Sequence, residues 1–149
     1  MKKSHNKNRK KKLMDKQMLA NELHIKGYNC AQSVVCAFCD ELGLDKKTAF
    51  MLAEGLGLGG GCEKGVCGAL TAACMLAGMK SSSGNLTAPN SKRDTYKIVA
   101  EFTKEFEEKA GSIICGEIKG SKTGKVLCSC PECISIGTEL FENYLNSLK

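Results

Sequence analysis

Three cysteines stand where the chain signals the start of a helix: Cys30 after Asn29, Cys67 before Gly68-Ala69, and Cys133 after Pro131. A helix N-terminus presents unpaired backbone N–H groups and about half a positive charge. Both favour a thiolate over a thiol. The thiolate binds metals, attacks disulfides and changes oxidation state. Cys130-Pro131-Glu132-Cys133 sharpens the case. It is a Cys-x-x-Cys opening a helix, as dithiol redox centres require, with one sulfur near the cap and its partner about one turn in. Cys128 extends it to Cys-x-Cys-x-x-Cys. No strand precedes it, which sets it apart from the thioredoxin pattern.

The other cysteines read differently. Cys36 and Cys39 lie three apart inside an expected helix, and Cys74 lies seven after Cys67. Helical spacing of this kind suits small buried residues, so these three are read as packing groups. Cys62 sits in a glycine-rich segment and is either a ligand, a resolving thiol or a neutral loop residue. Histidine offers little: His5 belongs to the basic N-terminal stretch and His24 reads as a helix-surface residue. A Cys₂His₂ zinc site or a His-dependent hydrolase is therefore not expected. Gly55-x-Gly57-x-x-Gly60 formally matches a dinucleotide fingerprint, but a helix-like segment precedes it and no βαβ unit follows. The Gly120-Ser-Lys-Thr stretch lacks the spacing of a phosphate loop.

Those sulfurs must be positioned by helices. An apolar stripe from Leu13 to Ile25 predicts a first helix over 13–26, closed by Gly27. Asn29-Cys30-Ala31-Gln32 is a capping box that opens a second helix running to about Leu42 and Gly43. Asp45 caps a third over 46–54. Seven glycines between positions 55 and 68 mark a shaped loop. Residues 67–79 are apolar on nearly every side and predict a buried central helix. Ser91 and Asp94 open a long helix to about Lys109, with Tyr96, Ile98, Val99, Phe102 and Phe106 as its core side. Ser112 to Cys115 forms a short turn. Pro131 at the first helical position starts a last helix to about Leu148. No alternating run predicts a strand. The fold class is all-α, an irregular bundle of about six helices with a glycine-rich loop before a buried central one.

The chain has 149 residues, ten cysteines and a net charge of +6. Residues 1–12 supply seven of the positive charges and no acid, leaving 15 basic against 16 acidic residues in the rest. The reading is a disordered basic tail, 1–12, before a single helical cysteine-rich redox domain, 13–149. No aromatic platform accompanies the tail, so nucleic acid is not an expected partner. The basic start lacks an apolar signal stretch. The longest charge-free run, 65–79, is shorter than the ~20 residues of a membrane span. A cytoplasmic setting with reduced cysteines and no membrane contact follows.

With Cys30, Cys67, Cys115 and Cys133 in view, the chain resembles the C_GCAxxG_C_C family, small redox-active proteins named for four signature cysteines. The resemblance covers most of residues 13–149. It rests on Asn29-Cys30-Ala31-Gln32, the glycine loop, Cys67-Gly68-Ala69-Leu70-Thr71, Cys115, and Cys133 in the last helix. The chain departs from the pattern at Ala72, where the family has glycine. It departs again at Cys62, where the family usually has an apolar residue. A similar domain in split-Soret cytochromes carries an iron–sulfur cluster, so the resemblance implies that cofactor. The Cys-x-x-Cys-His pattern of c-type heme attachment is absent.

Three functions compete. The first is an iron–sulfur protein for electron transfer or redox sensing, with Cys30, Cys67, Cys115 and Cys133 as ligands and Gly68 as a cofactor-contacting backbone position. The second is a cofactor-free thiol–disulfide oxidoreductase, in which Cys67 or Cys133 attacks and Cys130 or Cys62 resolves. The third is a structural zinc site on the same four cysteines, or an interaction protein. A protein electron donor or acceptor is the expected partner, and a homodimer would allow a shared cluster.

Overall fold

The computed structural model describes residues 2–149, with side chains for residues 6–8 and 15–149. The described residues form nine helices and no strand: α1 (Lys2–Ile25), α2 (Cys30–Cys36), α3 (Cys39–Leu42), α4 (Lys46–Glu54), α5 (Gly57–Gly61), α6 (Gly68–Ser81), α7 (Lys92–Ala110), α8 (Cys115–Lys119) and α9 (Cys130–Ser147). Three of these, α3, α5 and α8, have five residues or fewer. The other six make the all-α bundle. No described helix is long and apolar enough to cross a membrane.

Helix α1 begins at Lys2, well before the start expected near Leu13. No glycine or proline interrupts residues 2–25, and lysine and arginine propagate helix well. The expectation of a disordered tail concerns residues 1–12, most of whose side chains lie outside the described ones. The expected second helix is two helices. The chain bends at Ala37 and Phe38, where Phe38 takes φ −112° and ψ 2°. The bend drives the Phe38 ring into the core, edge-on to Phe141 with centroids 4.7 Å apart. Cys36 and Cys39 flank the bend and are buried.

The core is built around α6, which packs against α2, α7 and α9, while α1 lies along α9 and α4 covers α2. Ala69, Leu70, Ala72, Ala73, Leu76 and Ala77 of α6 are buried. Its small residues let neighbours approach closely. At Gly137 of α9, an added Cβ would stand 2.5 Å from the Ala69 carbonyl oxygen. Phe106, Phe141 and Ile134 complete the centre and are fully buried, each contributing ~1.5–3 kcal/mol of apolar transfer. The core side of α7 is narrower than expected. Tyr96 is 62% exposed, whereas Phe102, Phe106 and Ala110 are buried. Ser91 precedes α7 without capping it, because its hydroxyl accepts from the Ser83 N–H at 3.0 Å.

Candidate functional site

Cys30 begins α2, and the predicted capping box forms. Asn29 Oδ1 accepts from the Gln32 N–H at 2.9 Å, and Gln32 Oε1 accepts from the Asn29 N–H at 3.0 Å. Asn29 Nδ2 also donates to the Glu54 carbonyl at 2.9 Å, tying this helix start to the end of α4.

The glycine-rich stretch is not an open loop. Leu58, Gly59 and Gly60 take successive left-handed conformations, with φ of 54°, 57° and 72°. Such a turn is natural for glycine and costly for Leu58. It turns the Leu58 N–H onto the Cys30 sulfur. The same stretch is stitched to the start of α8. The Cys67 N–H donates to the Ile113 carbonyl at 2.8 Å, the Cys115 N–H to Gly65 at 3.0 Å and the Gly116 N–H to Glu63 at 2.8 Å. Gly59 must lack a side chain, since a Cβ there would lie 2.5 Å from Cys115 Cβ. Gly68 meets the same limit, with an added Cβ 2.5 Å from Cys30 Sγ. The glycines therefore let four chain segments crowd together.

They crowd around a cavity of about 190 Å³. Cys30, Cys67, Cys115 and Cys133 all line it, and so does Cys130. Gly68, expected to contact a cofactor, is not in this lining and packs against Cys30 Sγ. Cys62 is not part of this lining. It is exposed and borders a separate groove with Lys64, Lys122 and Lys125. His24, expected on the helix surface, also lines the cavity. Its Nδ1 lies 2.8 Å from the Tyr28 carbonyl. A carbonyl only accepts, so Nδ1 carries the hydrogen and a neutral ring keeps Nε2 as its open acceptor. The sequence hinted at this only through His24 standing in the last turn before the Asn29-Cys30 helix start.

All ten cysteines are free thiols. The helix-start argument succeeds at Cys67 alone. Its pKa is pulled down from 9.0 to about 7, first because the Cys133 thiol donates to its sulfur. The Ala69 and Leu70 N–H groups at the start of α6 add to this, against burial. Cys133 is held far above the ordinary thiol value by its bond to Cys67 and by burial. It sits one turn into α9, with its own N–H bonded to Ser129 at 2.9 Å. Cys30 is raised, first by burial and next by the Cys67 charge, although the Leu58 and Ala31 N–H groups partly offset both. Cys115 is pushed up to about 11 by burial and by Cys67. The cluster thus admits one thiolate readily, and that charge disfavours a second.

Cys128 joins the group from outside the cavity. Its sulfur is hydrogen-bonded to that of Cys133, and it donates to Glu132 Oε2 at 3.5 Å. Ser129 and Glu132 form the capping box of α9. Among the described residues, no group of three or more His, Cys, Asp or Glu side chains is arranged to hold a metal ion. The thiols suit an iron–sulfur cluster chemically, but as they stand their arrangement does not fit a single ion.

Fold and site together define an all-α thiol protein, a helical bundle in which cysteines from four separate segments share one cavity. The chain belongs to the family described as "Putative redox-active protein (C_GCAxxG_C_C)", which it matches over residues 28–144. The resemblance drawn from the sequence is thereby established, and redox activity is what the family's description names. No curated protein and no solved structure gives a match.

Proposed function

We propose that this protein is a thiol–disulfide redox protein in which Cys67 attacks and Cys133 resolves. The observation that carries this reading is the Cys67–Cys133 contact, in which one sulfur is a ready thiolate and the other its thiol donor. Nucleophile and resolving thiol need that asymmetry. Cys67 thiolate attacks one sulfur of a substrate disulfide, forming a mixed disulfide and releasing the first substrate thiolate. Cys133 then attacks Cys67 Sγ, forming Cys67–Cys133 and releasing the second. The Cys133 proton leaves with that thiolate. The substrate gains two electrons and the protein loses two. Cys130, one turn before Cys133 and on the cavity wall, is the alternative resolving thiol. A protein or small-molecule disulfide would be the substrate.

The test is incubation of reduced protein with oxidised glutathione, followed by alkylation and disulfide mapping. The expected product is a reversible Cys67–Cys133 bond, lost in Cys67→Ser. Equal alkylation of both residues before and after treatment would refute the reading.

A second reading is an iron–sulfur protein. It is favoured by Cys30, Cys67, Cys115 and Cys133 lining the same cavity. These four would hold the cluster, which would supply one-electron transfer. Anaerobic purification with iron and sulfide analysis separates the two readings.

A further inference from the structure

Cys128 has no role in the chemistry above, and it is not one of the four signature cysteines. It is nevertheless 7% exposed, beside Cys133, which is 2% exposed, and beyond it Cys67, at 6%. The three sulfurs form an unbroken row: Cys67 bonds to Cys133, and Cys133 bonds to Cys128. The row ends on a carboxylate. Glu132 Oε2 accepts from Cys128 Sγ at 3.5 Å and from the Ser129 N–H at 3.1 Å. The capping box that starts α9 therefore also fixes a proton acceptor on the third thiol. Cys133 is the only sulfur of the row with a neighbour on each side.

We propose that Cys128 is a third catalytic thiol, which takes the disulfide from Cys67 and stores it as Cys128–Cys133. The inference rests on Cys67–Cys133 formation as proposed above. Cys128 attacks Cys133 Sγ, the Cys67–Cys133 bond breaks, and the Cys128–Cys133 bond forms. Cys67 departs as the thiolate, and the Cys128 proton passes to water along its hydrogen bond to the exposed Glu132 carboxylate. No oxidant enters, since one disulfide and one thiol become another disulfide and thiol. Cys133, held in a disulfide before and after, no longer donates to Cys67, so the Ala69 and Leu70 N–H groups alone hold the departing thiolate, against burial. The exchange frees the Cys67 sulfur at the cavity while the oxidising equivalent moves into the core. A two-cysteine centre would instead keep Cys67 blocked until reduced from outside.

The experiment uses the full chain with Cys130→Ser, so that only one cysteine remains between Leu127 and Glu132. Reduced protein is treated with one equivalent of oxidised glutathione, quenched with acid at intervals, alkylated and cleaved after glutamate. Cleavage after Glu132 separates Cys128 from Cys133. A Cys67–Cys133 link should appear first, followed by a Cys128–Cys133 link as Cys67 recovers its reactivity to alkylation. With Cys128→Ser added, oxidation should stop at Cys67–Cys133 and Cys67 should stay blocked. A lasting Cys67–Cys133 link with Cys128 still fully alkylated would overturn the role of Cys128 and leave the two-cysteine reading intact. If neither link forms, both fall.

Discussion

Replacing Cys133 by alanine removes the largest single influence on Cys67. The Cys133 thiol donates to the Cys67 sulfur, and this bond leads the causes that bring Cys67 from 9.0 to about 7. Two units correspond to ~2.7 kcal/mol of preference for the thiolate. Without the donor, the Ala69 and Leu70 N–H groups remain but burial opposes them, so Cys67 should return toward 9.0. At pH 7 the thiolate fraction then falls from about one half to about one hundredth. A more basic thiolate is also a better nucleophile, which recovers roughly six- to tenfold over two units. The net expectation is alkylation of Cys67 by iodoacetamide that is about five- to eightfold slower at pH 7. The midpoint of its pH–rate profile should move up by about two units. Cys133→Ser keeps an O–H donor at the same place and should leave the midpoint near the native one. An unmoved midpoint in Cys133→Ala would show that the sulfur–sulfur bond does not set the reactivity of Cys67.

Gly68→Ala tests the crowding around the cavity. Helix propensity alone would favour alanine by up to ~1 kcal/mol, yet its Cβ would lie 2.5 Å from Cys30 Sγ and 2.8 Å from the Leu56 carbonyl oxygen. Overpacking should prevail, with a net loss of ~1–3 kcal/mol in urea unfolding; a variant as stable as the parent would contradict the contact. Alkaline pH should destabilise the reduced protein. Burial raises Cys36, Cys74 and Cys115 from 9.0 to about 11. A raised folded value gives stability that is complete below the unfolded value and lost as pH climbs through the folded one. The melting temperature should therefore fall between pH 9 and 11, and a flat profile there would count against these buried thiols. Cys67 has the opposite sign: its lowered value contributes stability that is present above 9 and lost as pH falls through about 7.

Local signals settled much of this molecule. The Asn29–Gln32 box, the Asp45 cap, and the stops at Gly43 and Gly111 act through hydrogen bonds and left-handed φ within a few residues of themselves. They were therefore readable from residue types. The apolar character of residues 67–79 likewise announced the central helix, because a segment without a polar side must be enclosed. Cys30, Cys67 and Cys133 could be singled out by their places at helix starts, whereas Cys115 entered only through the family resemblance. Long-range facts were not readable in this way. The bend at Phe38 exists because its ring finds Phe141, about a hundred residues away in the chain. The left-handed turn at Leu58 and the stitching of 63–67 to 113–116 depend on strands of backbone that meet only after collapse. Helix-end charge promised three thiolates, but burial and the mutual repulsion of clustered sulfurs left one, at Cys67. The amino-acid sequence thus determined which sulfurs sit at helix starts. Only the tertiary structure decided which of them touch, because charge regulation acts through ångström distances between side chains from different helices.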